Sequence, residues 1–329
     1  MLKIGLVGCG FMGRMHANVY SALPNAELVG CVDLKPEVAE KFAAEFGCKV
    51  YGSLEEMAEV SGADVIDICL PTYLHSQHAI AAAKLGKHVF CEKPMALNLE
   101  DADAMIAACA DANVQLMIGH CIRFWPEYAY LKRLVDSEHL GKLLSVNLLR
   151  FGAFPFWASD NWQSDEAKAG GGVMDMHIHD TDFAHYLLGD YDSIYSLGSV
   201  DDRGASHAFT TFKFGDVVLH AEGGWNLPAT APFKHAFRAI FERGAAMMDS
   251  GPLTIYEDGK EPVVPEFAKM EATGGGNISD LGGYFLEIQY FVNQILGGQP
   301  LEIVTPQSSR RSLETVLEEV RQIKVSAGK

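Results

Sequence analysis

Three glycines near the start of the chain place the strongest constraint on its fold. Gly8, Gly10 and Gly13 stand in "GLVGCGFMG", after the apolar run Lys3–Val7 and before a helical pattern. Twenty residues after Gly13, Asp33 ends a second apolar run, "LVGCVD". A strand, a G-x-G-x-x-G turn, a helix and an acidic residue in this order predict a dinucleotide-binding βαβ unit. The alternative is an ordinary strand-to-helix turn followed by a surface aspartate.

Each part of this motif has a physical role in holding a dinucleotide. The first glycine permits the tight turn, the second lets the backbone approach a pyrophosphate, and the third lets the helix pack closely on the strand. The helix N-terminus faces the phosphates. A carboxylate at Asp33 accepts hydrogen bonds from the adenosine ribose and repels a 2′-phosphate, so we expect NAD, with NADP less favoured. The predicted cradle comprises Gly8, Gly10, Phe11, Met12 and Gly13.

The pattern of apolar segments changes near residue 122 and predicts two domains. Before it, continuous apolar strands such as "DVIDICL" and "HVFCE" alternate with helices, as in a parallel sheet covered on both faces. After it, segments such as "SHAFTTFKF" alternate polar and apolar residues, which indicates an antiparallel sheet with one open face. We expect an α/β chain with a doubly wound Rossmann domain at residues 1–122. A substrate-binding and oligomerisation α+β domain with a large, open, mostly antiparallel sheet would follow at 123–329. Helices near 280–296 and 308–325 close the chain, and "ATGGGN" at 272–277 is expected to be a loop.

Charge and composition exclude several classes of partner. The formal net charge is -17, which disfavours nucleic acid and anionic membranes, and no apolar run is long enough to span a bilayer. The N-terminus does not resemble a signal peptide, and the seven cysteines form no C-x-x-C pair, so we expect a cytoplasmic protein with free thiols. An open sheet face suggests a homodimer or homotetramer.

Two further segments follow predicted strands, at the edge where open α/β sheets bind ligands. "CEKP" places Glu92 and Lys93 at one strand end, where we expect them to contact the cofactor near its nicotinamide. A lysine there can also bond a substrate hydroxyl and favour its alkoxide. Pro94 restricts the backbone of Lys93, and the bond between them can be cis. A surface lysine at a strand end explains the pattern equally well. The residues at the other strand end either line the nicotinamide site or cap the next helix, and are Pro71, Thr72 and His75.

The stretch "GGGVMDMHIHD" at residues 170–180 reads as a loop entering a helix. Asp175 and His179 are four residues apart and share one helix face, which suits an imidazole base oriented by a carboxylate. A metal site needs three convergent ligands, whereas His177 and His179 diverge on a helix, so no metal is expected. The alternative is a capped helix with solvent-facing acids, which would account for Asp180 and Asp182.

Together these motifs resemble the Gfo/Idh/MocA oxidoreductases, and the segment "DMHIHD" is most similar to inositol dehydrogenase-like members. The likeness covers nearly the whole chain and implies a Rossmann domain, a second α/β domain with an open sheet, and NAD(P)-dependent redox chemistry on sugars or cyclitols in dimers or tetramers. It also implies that Lys93 contacts the reacting hydroxyl, while Asp175 and His179 form the proton-transfer pair.

The chain departs from the family pattern in two places. His120 and the two residues after it stand where Asn or Arg is common, and His177 stands where a small residue is common. We expect these positions to face the substrate, which would then differ from an inositol. Sugar-binding candidates near them are Arg123, Trp157 and Trp162, with Asp160 and Asn161 alongside the two tryptophans.

These features lead to one expected function and two alternatives. The expected function is NAD-dependent oxidation of a secondary hydroxyl of a cyclitol or sugar by hydride transfer. The first alternative is a glycosidase that keeps its NAD and oxidises the substrate only transiently. The second is a non-catalytic NAD-binding sensor, for which retention of Lys93, Asp175 and His179 would be unnecessary.

Overall fold

The chain divides into two compact units in the computed structural model, which describes residues 1–156, 159–249, 251–268 and 282–329. The first unit comprises Met1–Phe124 and Ala268–Arg310, and the second comprises Trp125–Phe267 and Arg311–Lys329. A single boundary at residue 122 therefore does not describe the chain, because a late segment returns to the first unit. The expected loop at 272–277 lies outside the described residues.

The first unit contains a six-stranded parallel sheet in the order β3-β2-β1-β4-β5-β6. Its strands are β1 (Leu2–Val7), β2 (Ala26–Val32), β3 (Lys49–Val50), β4 (Val65–Ile68), β5 (His88–Glu92) and β6 (Leu116–Gly119). The helices between them are α1 (Phe11–Ala22), α2 (Pro36–Phe46), α3 (Leu54–Val60), α4 (His75–Lys84) and α5 (Leu99–Asp111). The predicted doubly wound parallel sheet is confirmed.

Local signals in the sequence mark several helix ends in this unit. Ser53 accepts a hydrogen bond from the backbone of Glu56 at the start of α3, and Asn98 accepts one from Asp101 at the start of α5. Gly47 ends α2 in the left-handed conformation. The sequence does not predict strand β3, because two residues are too few to show an alternating or continuous apolar pattern.

The second unit is built on a seven-stranded sheet in the order β13-β12-β11-β7-β10-β9-β8. The pairing of β7 with β10 is parallel and the other pairings are antiparallel, as expected for a mostly antiparallel sheet. Its strands are β7 (Leu143–Ala153), β8 (Ser193–Asp201), β9 (Gly204–Phe214), β10 (Val217–Leu227), β11 (Lys234–Phe241), β12 (Gly244–Met248) and β13 (Thr254–Glu257). Its helices before the closing segment are α6 (Pro126–Ser137), α7 (Glu166–Ala169) and α8 (Ile178–Leu188).

Two helices close the chain, and they explain the discontinuous units. Helix α9 (Gly282–Gly297) buries Phe285, Ile288 and Phe291 in one apolar cluster with residues of β1 and α1. Burial of these large side chains makes α9 part of the first unit's core. Helix α10 (Pro306–Ser326) belongs to the second unit from Arg311 onward. None of the helices in the described ranges is both long and apolar enough to cross a membrane.

Candidate functional site

The glycine turn between β1 and α1 has the geometry of a phosphate cradle. Gly8 has a φ of +98°, and a Cβ there would lie 2.4 Å from the carbonyl oxygen of Cys69. A Cβ at Gly13 would lie 2.0 Å from the carbonyl oxygen of Gly8, so only glycine lets the helix approach the strand. A Cβ at Gly10 would meet no atom within 4 Å, so the backbone faces open space there. These residues fit the pyrophosphate of a dinucleotide.

Asp33 lies directly after β2 and is bonded to this turn. One carboxylate oxygen accepts the backbone N–H of Cys9 at 2.9 Å, and the other accepts the backbone N–H of Lys35 at 2.9 Å. Each oxygen keeps a lone pair that can accept a ribose hydroxyl. Of the other two predicted cradle residues, Phe11 is exposed in the first turn of α1, whereas Met12 packs against the first unit's core.

Lys93 follows the carboxyl end of β5, and its backbone is held on both sides. The carboxylate oxygen Oε2 of Glu92 accepts the backbone N–H of Lys93 at 3.1 Å. The Lys93–Pro94 peptide bond is cis, and the Nδ1 of His75 lies 2.8 Å from the carbonyl oxygen of Pro94. The lysine side chain is partly buried. Its backbone is thus placed by side chains rather than by strand pairing.

His75 connects the loops that follow β4 and β5. Its Nε2 lies 2.8 Å from the carbonyl oxygen of Leu70, opposite the Nδ1 contact with Pro94. Burial lowers the pKa of His75, so the neutral ring donates to one of these carbonyls. The ring therefore does not cap α4, although His75 is its first residue. Thr72 is buried in a short 3-10 helix, Thr72–Leu74, which follows Pro71.

A buried polar cluster lies beneath these loops and was not predicted from the sequence. His16 on α1 is fully buried, with Nδ1 2.9 Å from Asp67 Oδ2 and Nε2 3.1 Å from Glu92 Oε1. Tyr20 donates to Asp67 at 2.8 Å, and the thiol sulfur of Cys69 lies 3.2 Å from His16 Nδ1. The available signal was an aspartate inside the apolar strand "DVIDICL". We call these five residues the His16 cluster.

Three members of the cluster also have the composition of a metal site. Ligand atoms of His16, Asp67 and Cys69 lie within 4.8 Å of one another. However, burial raises the pKa of the Cys69 thiol, so in the absence of a metal ion the thiol is protonated. The contacts around His16 also have hydrogen-bond lengths. We therefore interpret the group as a hydrogen-bonded cluster.

The segment that carries Asp175 and His179 begins as a π-helix, Val173–His177, and continues as α8. The sequence predicted a helix here but not its wide first turn, because i→i+5 bonding leaves no signature in the apolar pattern. Gly172 allows the turn to approach β10, since a Cβ there would lie 2.6 Å from the Trp225 ring. Asp175 and His179 are both partly buried, and Gln163 donates to Asp175 at 3.3 Å.

His177 does not face a substrate, contrary to the expectation from sequence. It is fully buried, and its Nε2 lies 3.1 Å from Oε1 of Glu319 on α10. Thr181 donates to the other Glu319 oxygen at 2.8 Å. The reason for its burial lies in β10, where a Cβ at Gly223 would come within 2.6 Å of His177 Nδ1. The glycine makes room for the imidazole inside the unit.

The acids expected to face solvent on α8 are buried as well. The Oδ2 atom of Asp180 accepts a hydrogen bond from Nε of Arg150, on β7, at 3.0 Å. Arg150 also donates to the Tyr128 hydroxyl at 3.1 Å. Asp182 accepts a hydrogen bond from Ser312 of α10 at 2.7 Å. Hydrogen bonds to the remaining donors and acceptors stabilise a buried charged pair, and the Tyr128 hydroxyl accepts one of these from Arg150. The alternative of a solvated helix face is therefore wrong.

The residues predicted to bind the sugar are mostly packed against other side chains of their own unit. Arg123 is 4% exposed, and its guanidinium donates to the Ile303 carbonyl and the Ser308 hydroxyl, so it fastens the closing segment of the first unit. His120 is 1% exposed. Trp162 packs against the cluster around Trp225. His120 and Arg123 are thus buried and Trp162 is partly buried, and the substrate contacts expected of these three side chains stay predictions. Trp157 lies outside the described residues.

Comparison with known proteins agrees with both units. Residues 2–120 match the model of an oxidoreductase family with an NAD-binding Rossmann fold, and residues 128–247 match the GFO/IDH/MocA C-terminal domain. The chain belongs to the Gfo/Idh/MocA family. The predicted α/β fold and the expected cofactor, NAD, agree with this assignment.

Relatives within the Gfo/Idh/MocA family carry out different reactions, as their names show. The chain is 34% identical to a 2,7-anhydro-N-acetylneuraminate hydratase of Escherichia coli (strain K12), over 58% of this chain and 50% of the relative. It is 34% identical to a myo-inositol 2-dehydrogenase of Thermotoga maritima, over 60% of this chain and 59% of the relative. It thus matches little more than half the length of these curated relatives. Its fold follows that of UDP-N-acetylglucosamine 3-dehydrogenase GnnA from Acidithiobacillus ferrooxidans, with a TM-score of 0.81, 25% identity and 98% of each chain covered.

Proposed function

We propose that this protein is an NAD-dependent dehydrogenase that oxidises a secondary hydroxyl of a cyclitol or sugar. The observation that carries the proposal is Lys93, held at the carboxyl end of β5 in the domain whose glycine turn fits a dinucleotide. Relatives named as inositol and sugar dehydrogenases support the substrate class. Bound NAD would supply the hydride acceptor. Asp33, which approaches the glycine turn with a carboxylate, supports NAD over NADP.

We assign three roles to side chains of this chain. The ammonium group of Lys93 donates to the substrate hydroxyl and favours its alkoxide character. The imidazole of His179 takes the hydroxyl proton, and the carboxylate of Asp175 orients that imidazole. The contact from Gln163 to Asp175 restricts the carboxylate and supports an orienting role.

The first test is NADH formation from added NAD with a panel of inositols, aldoses, amino-sugars and glycosides, with free sugar release followed in parallel. Lys93→Ala and His179→Ala should each lower kcat about 10²- to 10⁴-fold, as loss of a positioned proton donor or acceptor does, while the Kd for NAD changes little. Lys84→Ala, at the exposed end of α4, is the matched lysine control. Loss of NAD binding in His179→Ala would contradict the role assignment.

The panel also separates a second candidate, in which NAD stays bound and no net oxidation occurs. A relative named as a hydratase favours keeping this candidate, because hydration changes no net oxidation state. Sugar release without NADH would point to this redox-assisted reaction. Tight NAD binding with neither product would instead favour the non-catalytic sensor.

We further propose that the protein forms a homodimer or homotetramer through the open face of the second unit's sheet. Exposed apolar side chains occur on neighbouring strands of this face. Leu197 of β8 lies opposite Phe209 of β9. Val218 of β10 and Ile240 of β11 flank Ser145 of β7. Light scattering after gel filtration should give at least twice the chain mass. Phe209→Lys should lower that mass, whereas a wild-type monomer would contradict the proposal. None of the seven cysteines, all of which lie within the described residues, forms a disulfide bond, which supports a cytoplasmic location.

A further inference from the structure

His16 is bonded at both ring nitrogens to carboxylates from two neighbouring strands. Its Nδ1 contacts Asp67 of β4 at 2.9 Å, and its Nε2 contacts Glu92 of β5 at 3.1 Å. The ring lies edge-on to Phe90, with centroids 5.4 Å apart, and is fully buried. Its position is thus fixed on every side by the described residues of the first unit.

The charges around the ring favour the imidazolium form. Burial alone would lower the pKa of His16, but the charge of Asp67 and the contacts with Asp67 and Cys69 outweigh it, and the pKa lies well above its ordinary value. Burial alone would raise the pKa of Glu92, but the hydrogen bond and charge of His16, together with the charge of Lys93, hold that pKa below its ordinary value. A cation between two buried carboxylates offsets the cost of burying them.

The other groups around the cluster do not replace this cation. Tyr20 donates a neutral hydroxyl to Asp67. Burial raises the pKa of Tyr20, and the charges of Asp67 and Glu287 add to this effect, so the hydroxyl stays neutral. Cys69 contributes a neutral thiol. Among these groups, His16 is the one whose two donors can bind both carboxylates at once.

Glu92 extends this arrangement to the lysine. Its Oε1 contacts Nε2 of His16, and its Oε2 accepts the backbone N–H of Lys93. The carboxylate therefore bridges the imidazole and the lysine backbone. A Cβ at Gly119 of β6 would lie 3.2 Å from Oε1, which shows that the next strand closes in on the same oxygen. If the contact with His16 were removed, Glu92 would lose the donor that holds its carboxylate in this rotamer.

We propose that His16 is a positioning residue for Lys93, and that it acts through the carboxylate of Glu92. This inference rests on the proposed function, because it assigns His16 a part in the reaction through the lysine of that site. His16 does not touch the reacting atoms. It holds the Glu92 carboxylate in place, and that carboxylate holds the backbone of Lys93, whose side chain carries the ammonium group. A small displacement of a catalytic group lowers the rate constant far more than it lowers ligand binding.

Two substitutions at His16 separate this role from a purely structural one. A glutamine amide reaches the place of Nε2 and can donate to Glu92, whereas an asparagine amide reaches the place of Nδ1 and can donate to Asp67. Each variant keeps one hydrogen bond and loses the buried cation, so the two should lose thermal stability to a similar extent. They differ in whether Glu92 keeps its donor.

We expect His16→Asn to lower kcat by about 10- to 100-fold with little change in KM for NAD, and His16→Gln to retain most of kcat. The double variant His16→Asn/Glu92→Gln should be no slower than the slower single variant, because both act on one contact. Equal losses of kcat in the two His16 variants, in step with their Tm values, would overturn the proposal.

A second measurement does not depend on turnover. Hydrogen exchange at the backbone amide of Lys93 should be faster in His16→Asn than in His16→Gln, since that amide donates to Glu92. Equal exchange in both variants would show that His16 does not act on Glu92. If instead Lys93→Ala stays fully active, the proposed function fails, while the exchange contrast still decides whether His16 holds the lysine backbone.

Discussion

His16 and His177 are both fully buried, and each is bonded to a carboxylate, yet their partners lie at very different distances along the chain. His16 contacts Asp67 and Glu92, which lie in neighbouring strands of the parallel sheet whose first strand precedes its own helix in the chain. His177 contacts Glu319, 142 residues later on the closing helix. The first contact follows from the βαβ order, whereas the second depends on how the end of the chain packs.

The two regions therefore stabilise their functional segments differently. In the first unit, the glycine turn, Asp33 and Lys93 each directly follow a strand. The order of strands and helices along the chain is enough to position them, and Asp33 is bonded to the glycine turn. In the second unit, the segment with Asp175 and His179 starts at Gly172, which has no side chain to cap it. That segment depends on buried polar contacts with β7 and α10. We expect substitutions in those contacts to have the larger effect on stability.

The buried pair of Arg150 and Asp180 should give the largest effect. Arg150→Met leaves the Asp180 carboxylate buried without its cation, and breaking such a pair costs about 3–5 kcal/mol in the free energy of unfolding. Urea unfolding, followed by circular dichroism, measures the difference. The matched control is Arg321→Met, whose pair with Glu318 is exposed to solvent and contributes little to stability.

A double variant sharpens this test. Arg150→Met/Asp180→Leu removes both charges and should recover much of the lost stability, because an apolar pair avoids the cost of burying ions. Equal unfolding free energies for Arg150→Met and the Arg321 control would remove the contrast between the two regions. The pair would then contribute no more than a surface contact.

The sequence predicted the first unit well because its signals are local. The G-x-G-x-x-G spacing spans six residues, and the acidic residue after β2 follows only twenty positions later. The second unit was predicted as a sheet, but the burial of His177 and Asp180 was not. Their partners come from β7 and α10, and no periodicity in the site segment identifies such distant contacts.

The roles of Lys93, Asp175 and His179 remain predictions, since the arrangement of each unit does not by itself test them. The structure does show that Glu92 bonds the backbone of Lys93 and that Gln163 bonds the carboxylate of Asp175. Arg123 and His120 illustrate the opposite case. Both are polar residues near a motif, a pattern that favours a ligand contact, but each is buried, and Arg123 binds the closing segment of its own unit.

The preference for NAD over NADP tests the role of Asp33 in the first unit. Asp33→Ala should weaken NAD binding by about 10- to 100-fold, because it removes the ribose acceptor and a charged acceptor for Cys9 N–H. Asp33→Asn keeps an acceptor oxygen but removes the charge, and should raise the affinity for NADP relative to NAD. Isothermal titration with both cofactors measures the ratio. If Asp33→Asn leaves the ratio unchanged, charge repulsion does not set the preference.

The pH dependence of stability probes the long-range contact. Burial alone would lower the pKa of His177, but Glu319 outweighs it and raises the pKa above the ordinary value of 6.5. A raised pKa in the folded state stabilises the fold fully below pH 6.5, and this contribution is lost as the pH rises through the folded value. His177→Gln should therefore cost more at pH 6 than at pH 9, by about 1.4 kcal/mol for each unit of pKa shift. A cost independent of pH would mean that the pair carries no charge.

The smallest expected effect concerns a helix cap in the first unit. Asn98→Ala removes the acceptor for the Asp101 backbone N–H at 2.8 Å and should cost about 1 kcal/mol in thermal or urea unfolding. Asn98→Ser keeps a side-chain acceptor for a helix N-terminus and serves as the control, since it should retain most of the stability. A local cap thus contributes only a fraction of what the Arg150 pair contributes to the other unit. If Asn98→Ala instead cost as much as Arg150→Met, the first unit would depend on single contacts as strongly as the second, and the contrast between local and long-range stabilisation would fail.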